Sequence, residues 1–227
     1  MSFYKKKKQS RKGYKINPIY TTNMDFKTVF DNQCKLVVGT AQEDLNMQVD
    51  NYIEKQIPSI KTEWADGMWF SLFGTTINMN EGIYKMIPVD ELTLATSSSL
   101  FSIVQQAYDL LTLNGFLVKR DKGMITIDVF EIDTKLPVET HYQVASDNMI
   151  SGELYETCVF YTRKDVGVKG DLEIYVESPS FFNTGKKFII PITSGMILLR
   201  SGTLEYKLED HSGVGTMHML SVHLEKL

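Results

Sequence analysis

The fold is decided by residues 187–200, which read KFIIPITSGMILLR. Two apolar segments, residues 188–192 and 196–199, are separated by the turn-forming residues Thr193, Ser194 and Gly195. Runs of four to eight apolar and β-branched residues bounded by such turns are typical of short strands. We therefore predict two strands here, Lys187–Ile192 and Met196–Arg200.

The same pattern recurs on both sides, throughout the last third of the chain. The other predicted strands are Thr140–Ala145, Thr157–Thr162, Leu172–Glu177, Leu204–Glu209 and Met217–Leu224. Gly, Ser, Asp and Asn lie between nearly all of them. Short strands at this regular spacing predict an antiparallel sandwich or a jelly-roll barrel.

A strand and a helix are predicted near the start of the chain. Lys35–Gly39 has the composition of a first strand, and Thr40–Glu43 fits a capping box. The apolar stripe that follows has helical spacing and consists of Leu45, Val49, Tyr52 and Ile53. Pro58 is predicted to end this helix.

A second helix is predicted before residue 115. Its cap hydroxyls lie in Thr96–Ser99, and Asn114-Gly115 supplies a left-handed stop. Its apolar stripe contains Leu100, Phe101, Val104, Ala107, Tyr108 and Leu111. A short strand at Phe116–Val118, a turn at Asp121–Gly123 and a half-buried strand at Ile125–Val129 are predicted next.

Composition indicates a globular protein with a substantial core. The chain has 227 residues, of which 43% are hydrophobic, and no apolar run approaches the roughly 20 residues of a membrane helix. The Lys-rich start lacks the apolar segment of a secretion signal, so an intracellular location, cytoplasmic or nuclear, is expected. Cys34 and Cys158 are predicted to be buried free thiols in a reducing compartment.

Charge is sorted along the chain, whose formal net charge is −4. Residues 1–24 carry no acidic residue but seven basic ones, namely Lys5, Lys6, Lys7, Lys8, Arg11, Lys12 and Lys15. Such arms are usually disordered, and this one is predicted to be a mobile tail. It has three open roles: solubilising the protein, directing nuclear import, or making weak, salt-sensitive contact with nucleic-acid phosphates.

The stretch from about residue 97 to residue 227 resembles a known family through two motifs in order. Gly170–Tyr175 reads GDLEIY, and Pro191–Leu199 reads PITSGMILL, with His141 upstream of both. Together they resemble the 2-oxoglutarate- and Fe(II)-dependent oxygenases, most closely the prolyl-hydroxylase branch. The resemblance implies a mainly β, α+β fold: a double-stranded β-helix (jelly-roll, cupin-like) with N-terminal helices packed on one sheet.

The predicted organisation is a basic disordered tail, 1–24, followed by one domain, 25–227. Residues 25–115 form its helical and strand N-terminal part, and residues 116–227 form the β-helix core.

The resemblance also implies where a metal and a cosubstrate would bind. In that family two histidines and one carboxylate hold Fe(II), and an Arg on the last strand binds 2-oxoglutarate. His141 falls at the first histidine, Gln143 at the carboxylate and Tyr206 at the second histidine. Met217 and Met219 occupy the face where the Arg belongs. An amide, a phenol and two thioethers thus replace groups that the chemistry requires, which predicts a former metal site and a former cosubstrate site.

An active but divergent hydroxylase using Fe(II) and 2-oxoglutarate is the alternative from the enzyme class. His141 would stay a metal ligand, and other residues would replace the missing groups: His211, Asp147 or Glu139 for the metal, and Lys207, Arg163 or Lys164 for the cosubstrate. His218 and His223 lie five residues apart on one predicted strand. They are expected to face opposite sides and could not share an ion there.

The leading interpretation is a non-catalytic, oxygenase-like binding protein without a cofactor. It would recognise a protein or peptide through the former cleft or the sheet surface. A third interpretation is a viral-type jelly-roll structural protein whose basic arm reaches nucleic acid or a neighbouring subunit of a homo-oligomer.

Overall fold

The computed structural model describes residues 14–15, 26–31, 35–65, 83–138, 155–175, 187–201, 205–208 and 211–227. The strands in these ranges are β1 (Tyr14–Lys15), β2 (Lys27–Asp31), β3 (Lys35–Thr40), β4 (Ile83–Val89), β5 (Val118–Val138), β6 (Tyr155–Lys164), β7 (Val168–Lys169), β8 (Leu172–Tyr175), β9 (Lys187–Ile190), β10 (Met196–Ser201), β11 (Glu205–Leu208) and β12 (His211–Lys226). The helices are α1 (Glu43–Ala65), α2 (Glu91–Thr96) and α3 (Ser98–Leu113). None of these helices is long and apolar enough to cross a bilayer.

The strands form two sheets. The larger sheet has the order β2-β3-β10-β6-β12-β5-β4, with β7 paired to β12, and all of its neighbours are antiparallel. The smaller sheet has the order β1-β9-β8-β11 and is antiparallel except for the parallel β1–β9 pair. The described part of the chain is therefore mostly antiparallel β structure with few helices.

Helices cover one face of the larger sheet, which we call the helix face. Alternate residues of each strand point to this face, so Leu220, Val222 and Leu224 of β12 join the core beneath α1 and α3. The predicted stripe of α1 contributes Leu45, Val49, Tyr52 and Ile53, all of them buried. The periodicity of the two main helices is thus explained by one shared core.

The other face of the larger sheet, the interior face, looks toward the smaller sheet. Its core consists of Leu36, Val38, Val159, Tyr161, Leu172, Ile190, Ile192, Met196, Leu198, Met217 and Met219. Leu172 lies in β8 and Ile190 in β9, so this cluster joins the two sheets. The predicted strands at Thr157–Thr162, Met196–Arg200 and Met217–Leu224 each place residues in both cores.

The signals at the ends of α3 are confirmed. The Ser97 hydroxyl accepts a hydrogen bond from the Leu100 amide at 3.3 Å, and Gly115 has a φ of 79° after the last turn. That left-handed conformation favours glycine. α2 was not predicted, although the Asp90 side chain caps it through the Thr93 amide at 2.7 Å.

Two predictions for α1 are wrong. Pro58 lies inside the helix and does not end it; it is exposed, while the neighbouring Ile57 packs against the helix-face core. The helix begins at Glu43, so Thr40 cannot be the cap of a capping box. Thr40 belongs to β3, where it pairs with Met196 of β10.

The predicted turn at Asp121–Gly123 and the separate strand at Phe116–Val118 are also wrong. Residues 118–138 form the single long strand β5, which pairs with β12 from one end to the other. A Cβ on Gly123 would lie 1.9 Å from the carbonyl oxygen of His223. This glycine therefore permits a close approach between two strands and does not mark a turn.

Part of the predicted disordered tail is ordered as a strand. Tyr14 and Lys15 form β1, opposite Phe188 and Ile189 of β9. An edge strand such as β9 offers unpaired backbone groups to any extended segment, which explains how a polar stretch joins the sheet. The other tail residues, the predicted strand Thr140–Ala145 and Cys34 lie outside the described ranges. Cys158 is buried and free, as predicted.

Candidate functional site

The sequence-predicted site residues are only partly covered by the described ranges. His141, Gln143, Asp147, Glu139 and the basic residues of the tail, Lys5, Lys6, Lys7, Lys8, Arg11 and Lys12, lie outside them. Tyr206 lies in β11, where it pairs with Ile174 of β8, and His211 begins β12 opposite Val138. The roles predicted for these residues stay predictions.

Met217 and Met219 are part of the interior-face core. Met217 is fully buried and Met219 is 2% exposed, and both contact the apolar cluster that joins the two sheets. A dicarboxylate such as 2-oxoglutarate needs a cation and hydrogen-bond donors at its far end. Two thioethers in an apolar environment offer neither, so these positions do not fit the cosubstrate.

Polar side chains extend the interior face beyond the methionines. They alternate with helix-face residues along their strands and are all buried: Thr126, Asp128, Thr157, Arg200, Ser221 and His223. We call them the interior polar group. Strand alternation brings them to one face of β5, β6, β10 and β12.

His223 is the best-defined member of the interior polar group. Its Nδ1 lies 3.0 Å from the Thr157 hydroxyl, and its Nε2 lies 3.4 Å from the Thr126 hydroxyl. Burial, together with the positive charge of Arg200, lowers the pKa of His223 to about 3. The imidazole is therefore neutral near pH 7, and both of its nitrogens have hydroxyl partners.

Asp128 is the acidic member of this group. It lies opposite Met219 of β12, and burial raises its pKa to about 7. Arg200 is 1% exposed and supplies the cation. The interior thus holds an imidazole, a carboxyl and a guanidinium within one buried face.

A second constellation lies on the opposite side of the sheet, between α1 and β12. Asp50 and Glu54 are one helical turn apart on α1, and His218 faces them from β12. We call these three residues the α1–β12 cluster. Each offers one ligand atom within 4.8 Å of the others, and in the described ranges no other group of three His, Cys, Asp or Glu residues has this spacing.

A β-bulge arranges the surroundings of this cluster. His218 pairs with Arg163 of β6 and Met219 pairs with Tyr161, so Thr162 has no partner on β12. Because a bulge re-aims side chains, the consecutive residues Thr162 and Arg163 both reach α1. The Thr162 hydroxyl donates to Asp50 Oδ1 at 2.7 Å, and Arg163 lies 3.4 Å from Glu54 Oε1.

His218 Nδ1 lies 2.8 Å from Asp50 Oδ1, while its Nε2 lies 4.0 Å from Glu54 Oε1. Burial acts to raise the pKa of Asp50, but hydrogen bonds from His218 and Thr162 and attraction to His218 and Arg163 outweigh burial. The pKa of Asp50 is therefore lowered, and its carboxylate is ionised at neutral pH.

Sequence reasoning found one feature of this cluster and missed the rest. His218 and His223 were predicted to face opposite sides of their strand, and the structure confirms it. Asp50 and Glu54 are four residues apart beside the predicted apolar stripe of α1. This helical spacing was the sequence signal that their side chains lie close together. Asp50 meets His218 across 168 residues of chain, and no local pattern in the sequence indicates such a contact.

The comparisons with known proteins return structures only. No model of a known protein family matches the chain, and no curated protein matches its sequence. A 2OG-Fe(II) oxygenase family oxidoreductase from Burkholderia pseudomallei matches with a TM-score of 0.43 at 10% identity, over 65% of this chain and 70% of that one. A Pseudomonas putida prolyl-4-hydroxylase matches with a TM-score of 0.48 at 9% identity, over 85% of this chain and 92% of that one.

A prolyl 4-hydroxylase from Phytophthora capsici matches with a TM-score of 0.47 at 11% identity, over 84% of this chain and 58% of that one. The chain is thus similar to structures of the family that its motifs resemble. At this level of similarity no activity, ligand or residue role passes from those proteins to this chain.

Proposed function

We propose that this chain is a non-catalytic binding protein built on an oxygenase-like double-stranded β-helix, and that it recognises a protein or peptide. The observation that carries the proposal is the burial of Met217 and Met219 in the core between the sheets. Protein interiors are close-packed, so a polar cosubstrate cannot enter this part of the interior without displacing side chains.

The surface offers apolar side chains for recognition. Leu117 is 71% exposed and Leu227 is 80% exposed, and the two are joined by a backbone hydrogen bond of 3.1 Å. Leu113, at the end of α3, is 83% exposed. Adjacent exposed leucines, such as Leu117 and Leu227, are typical of surfaces that contact other proteins. The basic tail would add weak contact with nucleic acid, and an intracellular location would fit both roles.

A divergent hydroxylase is the second candidate, because His223, Asp128 and Arg200 bring the required residue types to the interior face. Its weakness is His223, whose two nitrogens are both engaged by threonine hydroxyls. A metal ligand must free one nitrogen.

One thermal unfolding experiment separates the two candidates. The protein is heated without additions, with Fe(II) alone under anaerobic conditions, with 2-oxoglutarate alone, and with both. A ligand that binds only the folded state raises the Tm by mass action. We expect 2-oxoglutarate to cause no shift with or without Fe(II), and no succinate to form when air is admitted. A shift that requires 2-oxoglutarate would contradict the proposal and favour the hydroxylase.

A further inference from the structure

The two ring nitrogens of His218 are in different situations. Nδ1 is hydrogen-bonded to Asp50 Oδ1, and that oxygen also accepts from the Thr162 hydroxyl. Nε2 makes no hydrogen bond to any residue in the described part of the chain, and it faces Glu54 Oε1 at 4.0 Å. Metal binding requires the neutral imidazole, in which Nδ1 keeps its proton toward the carboxylate and Nε2 presents its lone pair. The His218 residue as a whole is 1% exposed.

A buried imidazole held by a carboxylate on one nitrogen, with an acidic side chain beyond the other, is the arrangement of a metal-ligating histidine. We propose that the α1–β12 cluster binds a divalent transition-metal ion of the Zn²⁺ type. His218 Nε2 and Glu54 are the direct ligands, Asp50 orients the imidazole, and water completes the coordination.

The distances permit this geometry after a small movement. Zn²⁺ binds imidazole nitrogen and carboxylate oxygen at about 2.0–2.2 Å, so two tetrahedral ligands lie roughly 3.4 Å apart. The Nε2–Oε1 distance of 4.0 Å must therefore shorten by roughly 0.6 Å. The Glu54 side chain is 48% exposed and free to make this adjustment, whereas His218 is fixed by its surroundings.

The charges around the cluster also favour a cation. Asp50, Glu54 and Asp165 supply three carboxylates, and Arg163 is the cation they share. Arg163 Nε lies 3.0 Å from Asp165 Oδ1, closer than its 3.4 Å contact with Glu54. The pKa of Asp165 is lowered by this hydrogen bond and by one from the Thr216 amide. Arg163 therefore retains a good partner when a metal ion takes Glu54.

The donor set selects the class of metal. One imidazole nitrogen with carboxylate oxygens suits Zn²⁺ and its neighbours, while Mg²⁺ and Ca²⁺ prefer oxygen ligands alone. The site joins α1 to the centre of the larger sheet, so the ion would clamp the helix on the sheet. It lies on the helix face and does not depend on what the interior binds.

The test is a calorimetric titration of the full chain with ZnCl₂ after chelator treatment and dialysis, with MgCl₂ as the contrasting probe. We expect one Zn²⁺ per chain and no Mg²⁺ binding. Glu54→Gln removes a direct ligand and should weaken Zn²⁺ binding at least 100-fold. Asp50→Asn removes only the orienting carboxylate and should weaken binding about 10- to 100-fold. The matched control is Asp44→Asn, an exposed carboxylate on the same helix, which should leave binding unchanged.

A fourth variant is expected to change the affinity for Zn²⁺ in the opposite direction. Arg163→Gln removes the cation that competes for Glu54, so Zn²⁺ binding should tighten several-fold, a result that a purely structural ion pair would not give. Far-UV circular dichroism of each variant reports folding, and the half-exposed Glu54 and Arg163 can be replaced without opening the core. The proposal is overturned if the wild-type chain binds no Zn²⁺, or if Glu54→Gln binds it as tightly as Asp44→Asn does.

Discussion

His218 and His223 lie on the same strand and are almost equally buried, yet their environments are opposite. His218 lies on the helix face beside a carboxylate, with Nε2 directed at a second carboxylate. His223 lies on the interior face, where two threonine hydroxyls engage its nitrogens and burial lowers its pKa to about 3. Burial alone therefore does not decide what a histidine does; the charges and donors on its side of the sheet do.

The same contrast separates the two faces as a whole. The helix face combines a closed apolar core with a charged margin that solvent reaches, where Glu54 and Arg163 are half-exposed. The interior face combines an apolar cluster with buried polar side chains. Substitutions on the two faces test this contrast, and their expected effects decrease from Met217 to Asp50.

The largest effect is expected from Met217→Ala, because Met217 fills the interior. Removing a fully buried Met side chain from a packed core costs about 2–5 kcal/mol of unfolding free energy. Urea unfolding measures it, and Met47→Ala is the matched control, since Met47 on α1 is 51% exposed and should change stability by less than about 0.5 kcal/mol. A loss below about 1 kcal/mol at Met217 would mean that the interior is an open cleft.

The second prediction concerns pH and His223. Its folded pKa of about 3 lies below the ordinary value of 6.5, so between these values the unfolded chain binds more protons than the folded one. Stability contributed by the neutral imidazole is therefore lost as the pH falls below 6.5, by about 2 kcal/mol between pH 6.5 and pH 5. His223→Asn should remove this component from the urea-unfolding profile. An unchanged slope would show that His223 is solvated.

Asp128 should give a pH dependence of opposite sign. Burial raises its pKa from 3.8 to about 7, so the folded protein binds the extra proton between these values. Stability contributed by the neutral carboxyl is lost as the pH rises, by about 2 kcal/mol between pH 5 and pH 6.5. In the wild-type chain this component offsets that of His223. Asp128→Asn should leave a protein whose stability falls more steeply on acidification than that of the wild type.

The smallest of the four effects is expected at Asp50. Asp50→Asn weakens the charged hydrogen bonds from His218 and Thr162, which should lower the unfolding free energy by about 1–2 kcal/mol at pH 7. Because the folded pKa of Asp50 is lowered, the wild-type advantage is present above pH 3.8 and is lost as the pH falls through the folded value. The difference between the two proteins should therefore shrink below pH 4. A constant difference would mean that the charge of Asp50 is irrelevant.

The local part of the fold could be predicted from the sequence. The stripe of α1, the Ser97 cap and Gly115 stop of α3, and the strands at residues 35–39, 157–162 and 196–200 follow from periodicity and turn chemistry, which act over a few residues. Much of the helix-face core could be predicted for the same reason. The predicted stripe of α3 was partly wrong, because Phe101 is 43% exposed while Ile103 and Leu110 are buried.

What could not be predicted depends on distant partners. The β12 strand makes residues 118–138 one long strand, although Asp121–Gly123 has the composition of a turn, and β9 recruits Tyr14 and Lys15 from a basic segment. Pro58 remains inside α1 because the packing of this helix on the sheet outweighs the local cost of a proline. The α1–β12 cluster depends on the β-bulge at Thr162, and no residue spacing in the sequence predicts this bulge.

The order of strands in the larger sheet also fixes how the molecule can fold. Lys35 of β3 donates its amide hydrogen to Ser201 of β10 across 166 residues, and β12 separates β5 from β6 although it follows both in the chain. Pairings at such separations close slowly, on a scale of milliseconds to seconds. In a nascent chain, β3 therefore keeps an exposed edge until β10 leaves the ribosome, and β5 and β6 keep theirs until β12 does. We expect synthesis to be the stage at which the protein depends most on chaperones.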